Sequence, residues 1–510
     1  MRTLLRPLLA AILLSGCAEA PPPTVQEVAQ PGPVFLLGFD GLEPGLVARY
    51  EADGTMPNFV RLRERGAVGV VRSTVPFISP PAWTTVATGV TPGDHGVWSF
   101  WLPEGDNPRG RYVDATARLA EPVWKDLSAA GRTVGIVNVP VTSPPDSVNG
   151  FLISGFPYPA GAPLTFPPEL EADIRKRGYL PDEYGGAPVP GEEEAWLDHV
   201  EAIAHGRRDV ALDLLFKEKP DLSVIVFTSP DRIQHHLWKF HDAKHPLHDA
   251  SAAPRLKNAV RDSYAWCDDV LGEVLDRLPK NAVLFVVSDH GFGPAYQGIS
   301  KARVLAELGV TLPVDVGSRN IFGGDFWLGD VDEDTRAAFG AGLAELRGSD
   351  GRPLVGKVFD TRDEYARVGH GRALGPDFVA EEADGYVFTP GRDANDPLTG
   401  TMPPRSFSGY HRRLGYFGAW GPPIVNGPVR DIDLSDLPAM SLHILGEKIP
   451  RRYYHNIPRR LFPPTYFVER PMLFDGEPLV GFRRPEDRPD VAPDPGMVEQ
   501  LEAMGYLGGQ

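Results

Sequence analysis

The sequence has very little cysteine: Cys17 and Cys267 are the only two in 510 residues. Cys17 belongs to an N-terminal segment that we expect to be processed, so no pair remains for a disulfide inside the folded body. A chain of this length must therefore be stabilised by a large hydrophobic core, as one large α/β domain with insertions or as two domains.

Long apolar runs and positive charge are also scarce. Beyond the first sixteen residues, no stretch approaches the ~18 consecutive apolar residues that predict a membrane-spanning helix. Lys and Arg total 51 against 68 Asp and Glu, which gives a net charge of −17. Such a chain repels polyanions, so we do not expect it to bind polymeric nucleic acid. Small anionic substrates remain compatible with it, because bound cations reverse the local charge.

The N-terminus has the pattern of an export signal. Two arginines precede the short apolar run Leu8–Leu14, and small residues then lead to Cys17. The tetrapeptide LSGC resembles a bacterial lipobox, so we expect a lipoprotein signal peptide over 1–16 and a lipid on Cys17. The proline-rich residues 17–33 are predicted to form a tether. Because no aspartate follows Cys17, we expect anchoring at the cell envelope, on the periplasmic face of the outer membrane.

Four short runs rich in branched apolar residues have the length of strands buried on both faces. Stretches with apolar residues at spacings of three and four lie between them and are typical of helices. Alternating strands and helices predict an α/β fold, a three-layer sandwich with a mostly parallel central sheet. The predicted strands are Val34–Phe39, Val134–Val139, Leu222–Phe227 and Val283–Val287, and the predicted helices cover 56–66, 123–131, 193–217 and 255–278.

The same patterns suggest how the chain is divided. Residues 34–425 are predicted to form the catalytic domain, and the less regular stretch of about 301–405 is interpreted as an inserted, cap-like region. The chain is expected to return to the core near Ser408. Residues 426–510, rich in proline and arginine, are interpreted as a peripheral extension that ends in a short helix near 497–506.

Acids and histidines follow three of the predicted strands. Asp40 follows the first strand, Asp231 and His235 follow the third, and Asp289 and His290 follow the fourth. Ligands bind outside the carboxyl ends of parallel strands, so these side chains are expected to meet at one edge of the sheet. Each pattern alone also fits an ordinary surface pair, turn or helix cap. Together they predict a metal site, because clustered acids repel one another unless a cation lies between them.

His411, in the segment Ser408-Gly409-Tyr410-His411, adds a third imidazole. Six side chains suffice for two metal sites with three protein ligands each. Carboxylates and imidazoles without thiolates suit Zn²⁺, and Mn²⁺ also fits. Two cations about 4 Å apart stabilise both the attacking and the leaving oxygen in a displacement at phosphorus. The expected substrate is thus a small phosphate ester.

The candidate nucleophile is Ser79, which starts the segment SPPAWTTVATG. Serine followed by prolines, with glycine at the far end, predicts a helix with Ser79 as its N-cap. Free N–H groups at a helix start attract phosphate, and a metal-bound hydroxyl ionises more easily. A serine that only caps the helix is the alternative. Thr84 and Thr85 are rival hydroxyls, but they lie farther along the helix.

Six motifs in order resemble the alkaline phosphatase superfamily, in particular its type I phosphodiesterase/nucleotide pyrophosphatase branch and the related bacterial phosphohydrolase/phosphomutase-like proteins. The resemblance covers 34–424, and its motifs are GFDG, MPNFVRLRERG, SPPAWTTVATGVTPGDHGV, SPDRIQHHLW, VVSDHGFGP and SGYHRRLGYFGAWGP. It implies a covalent phosphoserine on Ser79 that water then hydrolyses. It also implies two zinc sites, one held by Asp40, Ser79, Asp289 and His290 and the other by Asp231, His235 and His411.

Two departures from the family pattern leave the choice between monoester and diester open. The nucleotide pyrophosphatases usually have a threonine nucleophile, and an asparagine holds the phosphate oxygen. Here Ser79 is the hydroxyl, and no amide lies among its near neighbours; Asn138 is a candidate replacement. A phosphomutase-like transferase and a catalytically silent envelope lipoprotein are the alternative functions. A sulfatase is excluded because the required arginine is missing from the Ser79 segment.

Overall fold

The computed structural model describes residues 32–104, 107–159, 161–181, 186–311, 323–365, 371–391, 393–403, 406–453 and 457–475. The predicted signal peptide, the predicted lipidation site Cys17 and the predicted helix near 497–506 lie outside these residues. Among the helices that the structure describes, none has the length and apolar character needed to cross a bilayer.

Strands and helices alternate through most of the described chain. The strands are β1 (Val34–Phe39), β2 (Ala67–Arg72), β3 (Trp101–Glu104), β4 (Asn107–Tyr112), β5 (Val134–Val137), β6 (Gly150–Ile153), β7 (Thr165–Phe166), β8 (Leu222–Phe227), β9 (Val283–Val287), β10 (Gly291–Ser300), β11 (Asp325–Phe326), β12 (Val355–Asp360), β13 (Phe378–Glu382), β14 (Gly385–Thr389), β15 (Thr399–Thr401), β16 (Gly409–Arg412), β17 (Leu414–Trp420) and β18 (Gly427–Asp433). The helices are α1 (Pro44–Ala52), α2 (Pro57–Arg65), α3 (Ser79–Thr88), α4 (Pro92–His95), α5 (Val123–Ala129), α6 (Leu170–Lys176), α7 (Glu193–Glu218), α8 (Ser229–His241), α9 (Pro254–Arg277), α10 (Lys301–Glu307), α11 (Glu333–Ala344), α12 (Thr361–Glu364), α13 (Asp436–Ile444) and α14 (Tyr466–Glu469).

Within the described residues, nine strands form the central sheet in the order β18-β2-β17-β9-β1-β8-β5-β6-β7. Strands β9, β1, β8, β5 and β6 are parallel, whereas β17 runs antiparallel to both β9 and β2. In this register Phe39 lies beside Phe227, and Gly38 lies beside Val287. The residues that follow β1, β8 and β9 therefore emerge side by side at one edge of the sheet.

Strand β1 shows how the sheet separates two hydrophobic cores. Side chains alternate along a strand, so Phe35, Leu37 and Phe39 join a core built with α7, α8 and α9. Val34 and Leu36 join a second core built with α3, α5 and α13. Burial on both faces explains why the β1 sequence is apolar throughout. The predicted α/β fold with helices on both faces of a mostly parallel sheet is confirmed.

The predicted boundaries hold within two residues for the four helices, but one strand is shorter than predicted. Strand β5 ends at Val137, not at Val139. Asn138 has a positive φ of 56° and turns the backbone out of the strand. An apolar pattern does not reveal such a turn, because Val139 remains buried after the chain has turned.

The inserted region is more regular than its sequence suggested. Strands β11, β13 and β12 form a small antiparallel sheet, and α11 packs near β12. This region has a core of its own, in which the ring of Phe326 packs edge-on against Phe339 and Phe388. Short strands, one pair of them with a register shift, give weak periodicity, which explains why the sequence of this region lacks a regular pattern.

The interpretation of 426–510 as a peripheral extension is wrong for its first part. Strand β18 extends the central sheet by parallel pairing with β2. Every residue of α13 is buried, and Leu437 and Met440 belong to the second core. One arginine of this stretch, Arg452, is buried and pairs with Asp126, whereas Arg460 pairs with Asp431 at the surface.

A buried acid in the inserted region predicts a pH-dependent stability. Burial raises the pKa of Glu382 from its ordinary value near 4.5 to about 7, although Arg412 opposes the shift. The folded state holds this proton more tightly than the unfolded state does. The contribution of Glu382 to the free energy of unfolding is therefore fully present below the unfolded pKa and is lost as the pH rises through 7. Glu382→Gln is therefore expected to raise the free energy of unfolding by about 3 kcal/mol above neutral pH and to change it little in acid.

Urea unfolding at about pH 5 and about pH 8 measures this difference. The neighbouring Glu381 provides a control, because it is partly exposed and Glu381→Gln removes a charge that is not buried. Equal effects of Glu382→Gln at the two pH values would contradict the assignment.

Candidate metal centre and nucleophile

The turn after β1 brings Asp40 to the edge of the sheet. Its backbone N–H donates to the Phe227 carbonyl at 2.9 Å, which continues the pairing with β8. Gly41 then takes φ +71°, and a Cβ there would lie 3.1 Å from Phe292 and 3.2 Å from the Cα of Asp231. Only glycine fits both the backbone angle and this space. The turn thus packs directly against the first turn of α8.

Asp231, His235 and His411 form the first group of candidate ligands. Asp231 and His235 lie one turn apart on α8, and His411 comes from β16. Oδ1 of Asp231 is 3.3 Å from Nε2 of His235 and 3.2 Å from Nε2 of His411. The two Nε2 atoms are 2.9 Å apart. One ligand atom from each residue lies within 4.8 Å of the others, and all three residues are buried.

Asp40, Asp231 and His290 form the second group, again buried and within 4.8 Å of one another. Nε2 of His290 is 3.5 Å from Oδ1 of Asp40 and 4.0 Å from Oδ1 of Asp231. Asp289 lies beside this group, with Oδ2 3.2 Å from the same imidazole nitrogen. Its Oδ1 accepts a hydrogen bond from the Gly41 N–H at 3.2 Å. Asp231 thus belongs to both groups and stands between them.

Backbone carbonyls orient two of the imidazoles for metal binding. Nδ1 of His235 lies 3.0 Å from the Gly409 carbonyl, and Nδ1 of His290 lies 3.1 Å from the Gly291 carbonyl. A carbonyl only accepts, so in each ring Nδ1 carries the hydrogen and Nε2 presents its lone pair to the cluster. Fixing the tautomer through the outer nitrogen is the arrangement found around metal-bound histidines.

The carboxylates repel one another strongly. Burial, together with the charges of Asp289 and Asp231, raises the pKa of Asp40 well above its ordinary value. Burial and the charge of Asp231 raise the pKa of Asp289 to about 8. Burial also opposes the ionisation of Asp231, but His235 and His411 outweigh it and hold its pKa well below the ordinary value. Divalent cations would relieve this repulsion and allow all three carboxylates to ionise.

His290 and His411 favour the neutral form that a metal requires. Burial, followed by the charge of His411, holds the pKa of His290 well below its ordinary value. Burial lowers the pKa of His411 to about 4, although the hydrogen bond with Asp231 acts in the opposite direction. Neutral imidazoles and buried carboxylates, with no thiolate among them, fit Zn²⁺ or Mn²⁺.

Ser79 lies beside the second group. Its Oγ donates to Oδ1 of Asp40 at 3.2 Å and is 3.4 Å from Nε2 of His290. The prediction of Ser79 as the N-cap is wrong by one position, because the extended residue Ile78 is the cap and Ser79 is the first helical residue. Pro80 and Pro81 have no N–H, so the helix start offers fewer donors to an anion than expected.

Side chains that the sequence did not point to hold the ligand-bearing turns together. Oγ of Ser288 accepts from the Leu42 N–H at 2.8 Å and donates to the His290 carbonyl at 2.6 Å. Gln234, on α8, donates to the Gly41 carbonyl at 2.7 Å and accepts from the hydroxyl of Tyr264. In the sequence, the role of Ser288 is indicated by its position immediately before the predicted ligand Asp289.

Of the remaining candidates from the sequence, Asn138 and Thr85 have other hydrogen-bond partners. The amide of Asn138 donates to the Val226 carbonyl at 2.9 Å, inside the sheet. The hydroxyl of Thr85 lies 2.9 Å from Nε2 of His95, whose Nδ1 accepts from a backbone N–H. The buried hydroxyl of Thr84 has no hydrogen-bond partner among the described residues. Its backbone carbonyl accepts from the hydroxyl of Thr88.

A family model decides the identity of the chain. The model of the type I phosphodiesterase/nucleotide pyrophosphatase family matches residues 34–394, which is well over half of the sequence. The chain belongs to this family. It is therefore a phosphoester hydrolase of the phosphodiesterase/pyrophosphatase type, and the family is metal-dependent. Among curated proteins, no sequence matches the chain.

Solved structures agree with the fold of this phosphodiesterase-family chain. Phosphonoacetate hydrolase from Sinorhizobium meliloti 1021 superposes with TM-scores of 0.53 in complex with phosphonoformate and 0.54 in complex with phosphonoacetate. The identities are 19% and 18%, over 82% of this chain and 96% of that one. Human ectonucleotide pyrophosphatase/phosphodiesterase 5 is 16% identical, with a TM-score of 0.46 over 82% of this chain and 95% of that one. At these identities the likeness to phosphonoacetate hydrolase concerns the fold alone.

Proposed function

We propose that this phosphodiesterase-family chain hydrolyses small phosphate esters with two divalent metal ions, preferably Zn²⁺, and with Ser79 as a nucleophile that is transiently phosphorylated. The observation that supports it best is the buried convergence of three carboxylates and three imidazoles next to the Ser79 hydroxyl. Six such groups have no packing purpose, and the repulsion among the three carboxylates calls for cations.

Each of the two groups of residues would hold one metal ion. Asp231, His235 and His411 would hold one ion, and Asp40, Asp289 and His290, with Asp231 close by, would hold the other together with Ser79. When bound, the ions would stabilise the negative charge on the attacking and the leaving oxygen. These ligands come from the ends of separate strands and from α8, so the rigid sheet fixes their separation.

Ser79 is the residue that forms the new bond. Its Oγ would attack phosphorus as the bond from phosphorus to the leaving oxygen breaks. The serine proton passes to solvent, and the leaving oxygen takes up a proton from solvent. Water then attacks phosphorus, the bond to Oγ breaks, and Ser79 is restored. Because Ser79 is the first residue of α3, its hydroxyl lies at the end of a helix whose dipole favours the phosphoryl anion.

Metal analysis combined with two chromogenic esters tests this function. Purified protein is expected to contain two equivalents of zinc or manganese and to hydrolyse nitrophenyl phosphate, bis-nitrophenyl phosphate or both. The faster ester identifies the monoesterase or diesterase preference. Protein with neither metal nor turnover would contradict the proposal and favour an envelope binding protein.

We also propose that the enzyme acts at the cell envelope, anchored by lipid on Cys17. The support is the sequence LSGC after an apolar run. A single acyl chain binds membranes only weakly, so the dual modification expected of a lipoprotein cysteine is needed for a stable anchor. Cys17→Ser is expected to move the protein from the membrane fraction to the soluble fraction. Membrane association that survives this change would contradict the anchor.

A further inference from the structure

Helix α3 contacts both oxygens of the Asp40 carboxylate. The hydroxyl of Ser79 donates to Oδ1 at 3.2 Å, and the indole Nε1–H of Trp83 donates to Oδ2 at 2.9 Å. Ser79 and Trp83 are four residues apart, so they lie on one face of the helix. The same helix that supplies the nucleophile therefore also fixes the orientation of a candidate metal ligand.

Strand β1 is shaped to accept this indole. Trp83 is fully buried, and a Cβ at Gly38 would lie only 2.5 Å from its Cη2 atom. A glycine at position 38, two residues before Asp40, leaves the space that the ring occupies. Because Gly38 has no side chain, the indole of Trp83 can pass under the strand and reach the Asp40 carboxylate.

We propose that Trp83 is a positioning residue of the metal centre, which holds Oδ2 of Asp40 so that Oδ1 alone faces the ion and the Ser79 hydroxyl. This inference rests on the proposed function, because it assumes that Asp40 is a metal ligand. A free carboxylate can rotate or bind a cation through both oxygens. A hydrogen bond to one oxygen removes these alternatives and fixes the direction of the other.

The expected size of the effect follows from the behaviour of such outer partners. Loss of a hydrogen bond to a metal ligand commonly lowers metal affinity or activity by about 10–100-fold. Trp83→Phe removes the indole N–H and leaves an aromatic ring in place. One of the two metal sites is expected to bind about 10–100-fold more weakly, with a lower kcat and a nearly unchanged KM, while the other site is unaffected.

Trp124 provides a matched control. It is also buried in the second core, and its Nε1–H donates to Oδ2 of Asp146 at the same distance, 2.9 Å. Trp124→Phe therefore removes an equivalent hydrogen bond and a similar volume at a carboxylate that has no place in the metal centre. We expect it to lower the melting temperature by a similar amount and to leave both metal affinities unchanged.

Calorimetric titration of metal-stripped protein with Zn²⁺ measures the two affinities. Weakening of one site in Trp83→Phe, but not in Trp124→Phe, is the expected result. Wild-type affinities in Trp83→Phe, or equal losses in both variants, would overturn the role of Trp83 and leave the proposed function intact. Failure of the wild-type protein to bind either Zn²⁺ or Mn²⁺ in this titration would overturn the proposed function, and this inference with it. If Trp83→Phe does not fold, Gly38→Ala displaces the ring and is expected to cause the same selective loss.

Discussion

Ser79→Ala is expected to lower kcat by about 10³-fold or more and to leave the metal content unchanged. In the proposed mechanism this hydroxyl bonds to phosphorus, and it lies 3.2 Å from Oδ1 of Asp40 and 3.4 Å from Nε2 of His290. The metal content should persist, because the carboxylates and imidazoles of both groups remain. Rates with the better nitrophenyl ester and elemental analysis of the same sample measure the two quantities.

A conservative replacement and two neighbours provide the controls. Ser79→Thr keeps a hydroxyl and is expected to retain measurable turnover, whereas Thr84→Ala and Thr85→Ala are expected to stay near the wild-type rate. Mass spectrometry of acid-quenched enzyme should find phosphate on Ser79. Wild-type activity in Ser79→Ala, combined with a loss in Thr84→Ala or Thr85→Ala, would move the nucleophile to the second turn of the helix.

Asp231→Asn is expected to abolish the binding of both ions. Asp231 is shared by the two groups of candidate ligands, and its Oδ1 lies 3.2 Å from Nε2 of His411 and 4.0 Å from Nε2 of His290. An amide keeps the shape of the side chain but provides no negative charge to hold the cations. Because the two ions of the proposed mechanism would supply several kcal/mol of transition-state stabilisation, activity should fall by about 10²-fold or more.

Asp289→Asn is the matched comparison, since it is the same change at a buried carboxylate on the edge of the second group. The asparagine can keep the oxygen that accepts the hydrogen bond from the Gly41 N–H. The first group, Asp231, His235 and His411, does not include position 289 and keeps all its ligands. We expect this variant to retain one metal equivalent and Asp231→Asn to retain none. Equal metal content in the two variants would show that Asp231 is not a ligand shared by the two metal sites.

The sequence predicted the centre of the fold because burial there is complete. Strands β1, β8 and β9 are apolar along their whole length, and each is followed directly by polar residues. The predicted site residues come together for the same reason, since the ends of neighbouring parallel strands share one edge. Their roles as metal ligands and nucleophile remain predictions that the variants above test.

The sequence by itself thus determined the sandwich, the edge at which Asp40, Asp231 and Asp289 meet, and the helix beside Ser79, although it placed the start of that helix one residue too late. Only the tertiary structure decided that β18 completes the sheet, that Asp231 stands between two groups of ligands, and that Trp83 holds Asp40. Periodicity and motifs record how each segment is buried, whereas these last features depend on distances between segments far apart in the chain. Packing of the whole sheet sets those distances, and no local pattern encodes them.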